Sequence, residues 1–214
     1  MNNKRFIAAL AAVGFAVAMD ANAAVINFQE NDSPANTSTL LGLTATFTDG
    51  GASLTAAGFG PNGPVDLYAK FTSGDPTETG LGLVNDPSGD HEITVGSFIQ
   101  LTVPPSPAGS TLDLIIAGSV QANETALVFF GTANGVLGAT PILGSAGPGA
   151  DQTMYSIGPF GAGPGYIDIT AGNGNVLLDS ATVTVPPVPD GGMTVAMLGG
   201  ALSLLGLVRR KLVA

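Results

Sequence analysis

The 214-residue chain has no cysteine, no tryptophan and a single histidine, His91. Without cysteine it cannot form a disulfide, use a thiol nucleophile or bind a metal through thiolates. One histidine excludes a two-histidine metal site, and a serine triad would have to use His91 as its base. The sequence contains no Gly-x-Ser-x-Gly elbow to accompany such a base. These absences remove most familiar catalytic classes, and we expect the protein not to be an enzyme.

Basic residues are almost as scarce. Of the six, two lie within the first five residues and three follow residue 208, so Lys70 is the only basic side chain between residues 24 and 187. The same span contains 14 acidic residues, and one basic residue against these gives a formal charge of −13. Nucleic acid and anionic lipid surfaces both require a basic face, so we expect neither as a partner of this span. Divalent cations, neutral glycans or other matrix components suit it better.

Residues 1–23 have the three parts of a secretory signal peptide. Two basic residues come first, an apolar stretch reaches Met19, and Ala21-Asn22-Ala23 forms a small-x-small cleavage site. Cleavage after Ala23 would make Ala24 the mature N-terminus. The alternative is a retained membrane anchor, for which the apolar stretch is short. We therefore predict an N-terminal signal helix that is removed on export.

The last part of the chain has three segments in a fixed order: Val188-Pro189-Asp190-Gly191-Gly192, an uncharged apolar run over residues 193–208, and the basic cluster Arg209-Arg210-Lys211. As a helix the run would extend roughly 24 Å, slightly less than the ~30 Å hydrocarbon core, and long basic side chains can reach the interface. The pattern predicts a transmembrane helix with a cytoplasmic tail at 209–214 and everything before it outside. A buried core helix is the alternative, but the run lacks a polar face.

These three segments together resemble the PEP-CTERM protein-sorting domain in its VPD-type variant, VPDSG-CTERM. Gly191 stands where the name of the variant has serine. The resemblance implies an exported bacterial protein whose tail is recognised and cleaved by a membrane exosortase, in species that make extracellular polysaccharide. It implies a membrane-anchored precursor with its body outside the cytoplasmic membrane, and then a place at the cell surface or in the extracellular matrix of a biofilm. It covers only the end of the chain and does not describe what the body does.

Residues 24–185 consist of short apolar or alternating runs separated by glycine, proline, asparagine and aspartate. In the run from Val65 to Phe71, for example, the odd positions are apolar and would share one face of a strand. About ten such runs with turns between them predict an all-β domain, an antiparallel β-sandwich that is jelly-roll-like. We predict strands at 25–29, 39–48, 52–56, 65–71, 92–103, 111–121, 125–132, 153–157, 166–170 and 176–185, loops at 58–64, 73–76, 104–109, 144–151 and 158–165, and a stiff linker with the sorting motif at 186–192.

The densest group of polar side chains lies at residues 85–92, between two predicted strands. Asn85, Asp86, Asp90 and Glu92 offer hard oxygen ligands of the kind that Ca²⁺ prefers. Asp75 and Glu78 on the preceding loop could complete the site if the fold brings them close. The alternative is a solvated hairpin turn in which Asp86 and Asp90 accept hydrogen bonds from their own backbone. No other cofactor is expected.

Three functional hypotheses follow. The first is a non-enzymatic structural or adhesive protein that is sorted to the envelope or to the polysaccharide matrix. The second is a Ca²⁺-dependent carbohydrate-binding module that uses the loop from Asn85 to Glu92. The third is a carboxylate-dependent hydrolase acting on matrix polysaccharide, because any two of the 14 acidic residues could meet in a cleft. The lack of tryptophan argues against a sugar-stacking subsite and so against the third.

Overall fold

The computed structural model describes residues 22–28, 38–72, 75, 78–103, 109–146, 151–161, 165–186, 198–200 and 202, except for the side chains of residues 145 and 146. Sixteen strands lie in these ranges, and the backbone is helical at 198–200 and 202. The strands are β1 (Asn22–Asn27), β2 (Thr39–Gly42), β3 (Thr44–Asp49), β4 (Ala52–Gly60), β5 (Gly63–Val65), β6 (Leu67–Lys70), β7 (Gly80–Leu83), β8 (Ile93–Thr94), β9 (Phe98–Thr102), β10 (Thr111–Gly118), β11 (Thr125–Gly131), β12 (Thr140–Ile142), β13 (Gly144–Ala146), β14 (Thr153–Gly161), β15 (Tyr166–Asn173) and β16 (Asn175–Val185).

The strands form two antiparallel sheets. The larger sheet has the order β13-β14-β10-β16-β7-β6-β2, with β1 and β8 also paired to β16, and the smaller sheet has the order β12-β11-β15-β9-β4-β3, with β5 paired to β4. Buried side chains from both sheets, such as Leu178 and Ile169, belong to one hydrophobic core. The all-β prediction is confirmed, and two sheets around one core are consistent with a β-sandwich. The jelly-roll connectivity stays a prediction.

Strand β16 is the axis of the larger sheet. It pairs with β10 along one side, while β8, β7 and β1 follow one another along the other side. The pairing with β1 runs in unbroken register from Asn22 opposite Val185 to Asn27 opposite Ser180. The first and last strands of the domain therefore lie side by side, and they begin and end at the same end of the sheet.

The described core lies in these strands and at two positions directly after a strand, Phe28 and Val103. Every buried hydrophobic residue found in the described part of the chain lies between Ala24 and Val185. The two sheets are also joined by a polar contact across the core, where the hydroxyl of Tyr155 on β14 donates to the carbonyl of Ala126 on β11. Burial raises the pKa of Tyr155 to about 12. The two sheets thus share one core that also contains a polar contact between them.

The predicted alternation holds in β6, where Leu67 and Ala69 are fully buried and Tyr68 and Lys70 lie on the opposite face. It fails in β10, where a period of two would put Leu112 and Leu114 on one face. Between these two residues the pairing of β10 shifts by one residue against β16 and by two against β14, so that Leu112 and Ile115 are buried instead. A bulge at Asp113 breaks the period of two.

Two predicted strands are each divided by a turn. The run at 39–48 becomes β2 in the larger sheet and β3 in the smaller one, and the chain changes sheets at Leu43, after Gly42 with φ +84°. The run at 92–103 becomes β8 and β9, separated by a turn that contains Gly96 with φ +86°. Positive φ favours glycine. In both places the glycine lies inside a run whose other residues are typical of a strand, so the sequence pattern predicted one strand where the structure has two.

Three of the predicted loops contain strands. Residues 58–64 include the end of β4 and most of β5, residues 144–151 include β13, and residues 158–165 include the end of β14. Glycine and proline predicted loops there, but β5 and β13 each pair with one strand only. A strand with one partner tolerates proline, because it has a side on which no N–H is needed.

We expect Gly82→Ala in β7 to destabilise the domain, because a Cβ atom there would lie 1.9 Å from the carbonyl oxygen of His91. Overpacking against backbone costs about 1–3 kcal/mol. Urea denaturation should show a lower midpoint with an unchanged slope. The control is Gly161→Ala in β14, where the nearest atom to the added carbon is 3.7 Å away. Equal midpoints for the two variants would contradict the close approach at Gly82.

Candidate functional site

The segment from Val84 to Glu92 crosses the outer face of β7. The close approach of its backbone to Gly82 places it there, and the ring of His91 packs on Tyr68 of β6 with a centroid separation of 4.1 Å. His91 has φ +60° and a buried Nδ1 atom without a hydrogen-bond partner. Such backbone strain in a residue other than glycine persists only where the surroundings hold it. This crossing segment carries all four residues of the predicted calcium site.

Asp86 is the centre of the segment. Its carboxylate accepts the N–H of Ser88 at 2.9 Å, the hydroxyl of Ser88 at 2.6 Å and the N–H of Glu92 at 3.2 Å. Burial alone would raise the pKa of Asp86, but these donors lower it below its ordinary value. Its carbonyl also accepts the N–H of Gly89 at 3.1 Å. The hydrogen-bonded turn that we named as the alternative is therefore formed, at least by Asp86.

The other predicted ligands point elsewhere. The amide of Asn85 donates to the hydroxyl of Ser97 at 3.1 Å, Asp90 is exposed, and Glu92 is paired with Lys70. Within the ranges that the structure describes, no three acidic or histidine side chains form a group that could hold a metal ion. The described residues thus form no assembled ligand set, and Glu78 meets Glu92 rather than Asp86. The calcium site stays a prediction.

A second group of side chains, which we call the Lys70 cluster, consists of Lys70, Glu78, Glu92, Ser119 and Gln121. The Lys70 ammonium lies 3.1 Å from the carboxylate of Glu78 and also forms a short ion pair with Glu92. The hydroxyl of Ser119 lies 3.0 Å from Glu78 and 3.3 Å from Glu92, and the amide of Gln121 donates to Glu78 at 2.6 Å. The only cation of residues 24–187 therefore lies between two carboxylates.

Four separate parts of the larger sheet build the Lys70 cluster. Lys70 ends β6, Glu78 precedes β7, Glu92 precedes β8, and Ser119, with φ +52°, follows β10. Because β6, β7, β16 and β10 are neighbours in the sheet, these ends meet on its outer face. The alternation of β6 placed Lys70 on that face from sequence alone. Its partners could not be identified, because they lie 8 to 51 residues away along the chain.

The pKa values of the two glutamates in the Lys70 cluster shift in opposite directions. Burial raises the pKa of Glu92, although the Lys70 ammonium opposes this shift. Burial alone would also raise the pKa of Glu78, but hydrogen bonds from Lys70, Gln121 and Ser119 lower it. Burial opposes the charged form of Lys70, yet its two carboxylate partners raise its pKa above the ordinary value. Each of the three charged side chains in the Lys70 cluster therefore has an ion-pair partner within the cluster.

A third polar group lies on the outer face of the smaller sheet and was not predicted. Asp168 lies between Ile167 and Ile169, an alternation that puts the polar residue on the face opposite the apolar ones, yet it is fully buried. It accepts the amide of Gln100 and the N–H of Gly138, each at 2.8 Å. Burial raises the pKa of Asp168, although these two donors oppose the shift. The chain between β11 and β12 covers this face, because Gly135 also donates its N–H to Gln100 at 3.1 Å.

The predicted cleavage sites lie at the two ends of this domain. Most of the residues predicted for cleavage and sorting lie outside the described residues: Ala21, Val188, Pro189, Asp190, Gly191, Gly192, Arg209, Arg210 and Lys211. Ala23 and Ala24 lie in β1, opposite Thr184 and Val183. The predicted cut after Ala23 would leave four residues of β1 paired with β16. Because Asn22 lies opposite Val185, β1 begins and β16 ends at the same end of the sheet.

The match to a known protein family lies at the end of the chain and does not include its body. The family profile of the VPDSG-CTERM motif matches residues 187–212, and the chain therefore carries a sorting signal of the PEP-CTERM, exosortase-dependent type. No curated protein and no solved structure matches the chain. None of the helical residues described here belongs to a helix that is long and apolar enough to span a membrane. The transmembrane helix at 193–208 and the signal helix thus stay predictions.

We expect Lys70→Met to lower the free energy of unfolding at pH 7 by about 2–3 kcal/mol, because two close carboxylates lose their shared cation. The pKa of each is then raised in the folded state, so the loss appears as pH rises above the ordinary carboxyl value of about 4 and is small at pH 3. Denaturant unfolding at the two pH values measures it. Adding Glu92→Gln should recover stability at pH 7 by removing one negative charge. A loss of equal size at both pH values would show that packing of the lysine stem dominates.

Proposed function

We propose that this is an exported bacterial protein, held in the membrane as a precursor by its C-terminal segment and then cut by an exosortase-type membrane protease. The observation that carries the proposal is the match of the VPDSG-CTERM motif to residues 187–212, which begins two residues after β16 ends at Val185. The register of Asn22 opposite Val185 supports it. Because the domain begins and ends at one end of the sheet, its two hydrophobic flanking segments are attached at that end, and the folded domain can lie wholly on the outer side of one membrane.

We further propose that the body acts as a structural or adhesive element at the cell surface or in the extracellular polysaccharide matrix. Its core is closed by two sheets, and its single cation is engaged between Glu78 and Glu92. Two free carboxylates would be the starting point of a hydrolase, whereas in the Lys70 cluster both are hydrogen-bonded and share one ammonium as their ion-pair partner. The formal charge of −13 keeps the exported body away from anionic lipid headgroups.

The sorting proposal is tested by the intact mass of the protein in the membrane and extracellular fractions of a producing host. We expect the wild type to begin at Ala24 and to end between Val188 and Gly192. Replacing Val188, Pro189 and Asp190 together by alanine should leave a membrane-bound species that still contains the basic cluster. The matched control is Gly191→Ser, which restores the serine of the motif's name and should be processed normally. A wild-type protein that keeps its basic cluster in the membrane fraction would mean a permanent anchor.

Calcium separates the structural proposal from the carbohydrate-binding alternative. Because Asp86 is saturated by backbone and hydroxyl donors, we expect the Tm to stay unchanged in about 10 mM calcium, a concentration above the Kd of weak extracellular sites. A bound ion would stabilise the folded state in proportion to its occupancy. If calcium raises the Tm, and Asp90→Asn removes that rise while Asp113→Asn does not, the loop from Asn85 to Glu92 is a calcium site and our interpretation of it is wrong.

A further inference from the structure

The predicted signal cleavage site lies inside a paired strand. The bond to be cut joins Ala23 to Ala24, the second and third residues of β1. In the folded domain these two residues lie opposite Thr184 and Val183 of β16. A protease cuts folded protein through molecules in which the segment has opened locally. The cut after Ala23 therefore needs a chain in which β1 is not paired with β16.

The side chains of β1 and of the residue after it hold this strand on the core. Ala24 is 5% exposed, and Ile26 and Phe28 are fully buried. The ring of Phe28 packs edge-to-face on Phe47 of β3, with a centroid separation of 4.9 Å. The N–H of Phe28 also donates to the carbonyl of Asp179 on β16 at 3.2 Å. Opening of β1 would expose these apolar side chains to water, which is unfavourable, so few folded molecules have the strand detached.

The partner of β1 comes last in the chain. Among the described strands only β16 pairs with β1, and Thr184 follows its partner Ala23 by 161 residues. In the proposed export, the residues next to the signal segment reach the outer side first, and β16 arrives after every other described strand. Until then Ala23 has no strand to pair with. The same bond is thus accessible in the emerging chain and protected in the finished sheet.

We propose that the pairing of β16 with β1 closes the signal cleavage site, so that the cut after Ala23 has to precede completion of the larger sheet. This inference rests on the proposed export and concerns the order of its steps. A chain that is cut in time keeps residues 24–27 for pairing with β16. A chain that folds first keeps its N-terminal hydrophobic segment, because the strand that completes the domain also protects the bond.

The order of steps is tested on the full-length precursor, folded in detergent and treated with a purified bacterial signal peptidase. Intact mass follows the cut after Ala23. The matched control has about eight flexible residues inserted between Ala23 and Ala24, the first of them alanine, so that the cleavage sequence moves out of β1 while residues 24–27 keep their partners. We expect the wild type to be cut at least about 100 times more slowly than this variant, because only molecules with β1 detached are cut.

A disulfide between β1 and β16 tests the role of the pairing within a single protein, because the natural chain has no cysteine. Val25 lies opposite Thr182, and the Cα atoms of opposed residues are about 4.5–5.5 Å apart, within disulfide range. In the double variant Val25→Cys/Thr182→Cys, oxidation should abolish the remaining slow cut and reduction should restore it. The single variant Val25→Cys is the control, and its rate of cutting should not depend on the reductant.

Equal rates for the wild type and the insertion variant would overturn the proposal, and so would an oxidised double variant that is cut as fast as the reduced one. An insertion variant that is not cut at all would overturn the predicted cleavage site and this inference with it. The tail is tested separately, by the C-terminal mass of the protein from a producing host. Equal rates would thus contradict only the order of steps, whereas a tail that keeps its basic cluster would contradict the proposed sorting.

Discussion

The antiparallel pairing of β16 with β1 is the constraint on which the rest of this structure depends. It joins the first and last strands of the domain in one unbroken register, with Asn22 opposite Val185, and β16 then orders β10, β7 and β8 around itself. The domain therefore begins and ends at one point of the larger sheet, and the matched sorting motif starts two residues after that point.

The buried acidic side chains of the two sheets are stabilised in different ways. A domain with 14 acidic residues has one lysine, and the fold places this lysine between the two carboxylates that the larger sheet brings together, where it offsets one of their two negative charges. On the smaller sheet, Asp168 is buried without any cation and is held by an amide and a backbone N–H. Both groups fix connecting segments to the outer face of a sheet. The acidic side chains that lie deepest in the described residues, Asp86, Glu92 and Asp168, all have hydrogen-bond partners.

Much of the fold could be predicted because half-buried strands impose a period of two on their side chains. Leu67, Ala69 and Lys70 lie where the alternation placed them. The period says nothing about where a strand changes sheets, so the division at Leu43 was missed, and a bulge such as that at Asp113 removes the period locally. Burial on the outer face of a sheet could not be predicted either, as Asp168 shows. Alternation predicts on which face a side chain lies, but whether water reaches it depends on the segment between β11 and β12, which covers that face.

The sequence by itself determined the sorting signal, the all-β class and the acidic character of the body, because each of these depends on residues that are close together in the chain or on composition alone. Only the tertiary structure decided which polar groups meet. Asn85, Asp86, Asp90 and Glu92 are neighbours in sequence, yet the crossing of β7 sends Glu92 to Lys70 and turns Asp86 toward its own backbone. Contacts between residues tens of positions apart are set by strand order, and strand order is fixed by the packing of the two sheets as a whole.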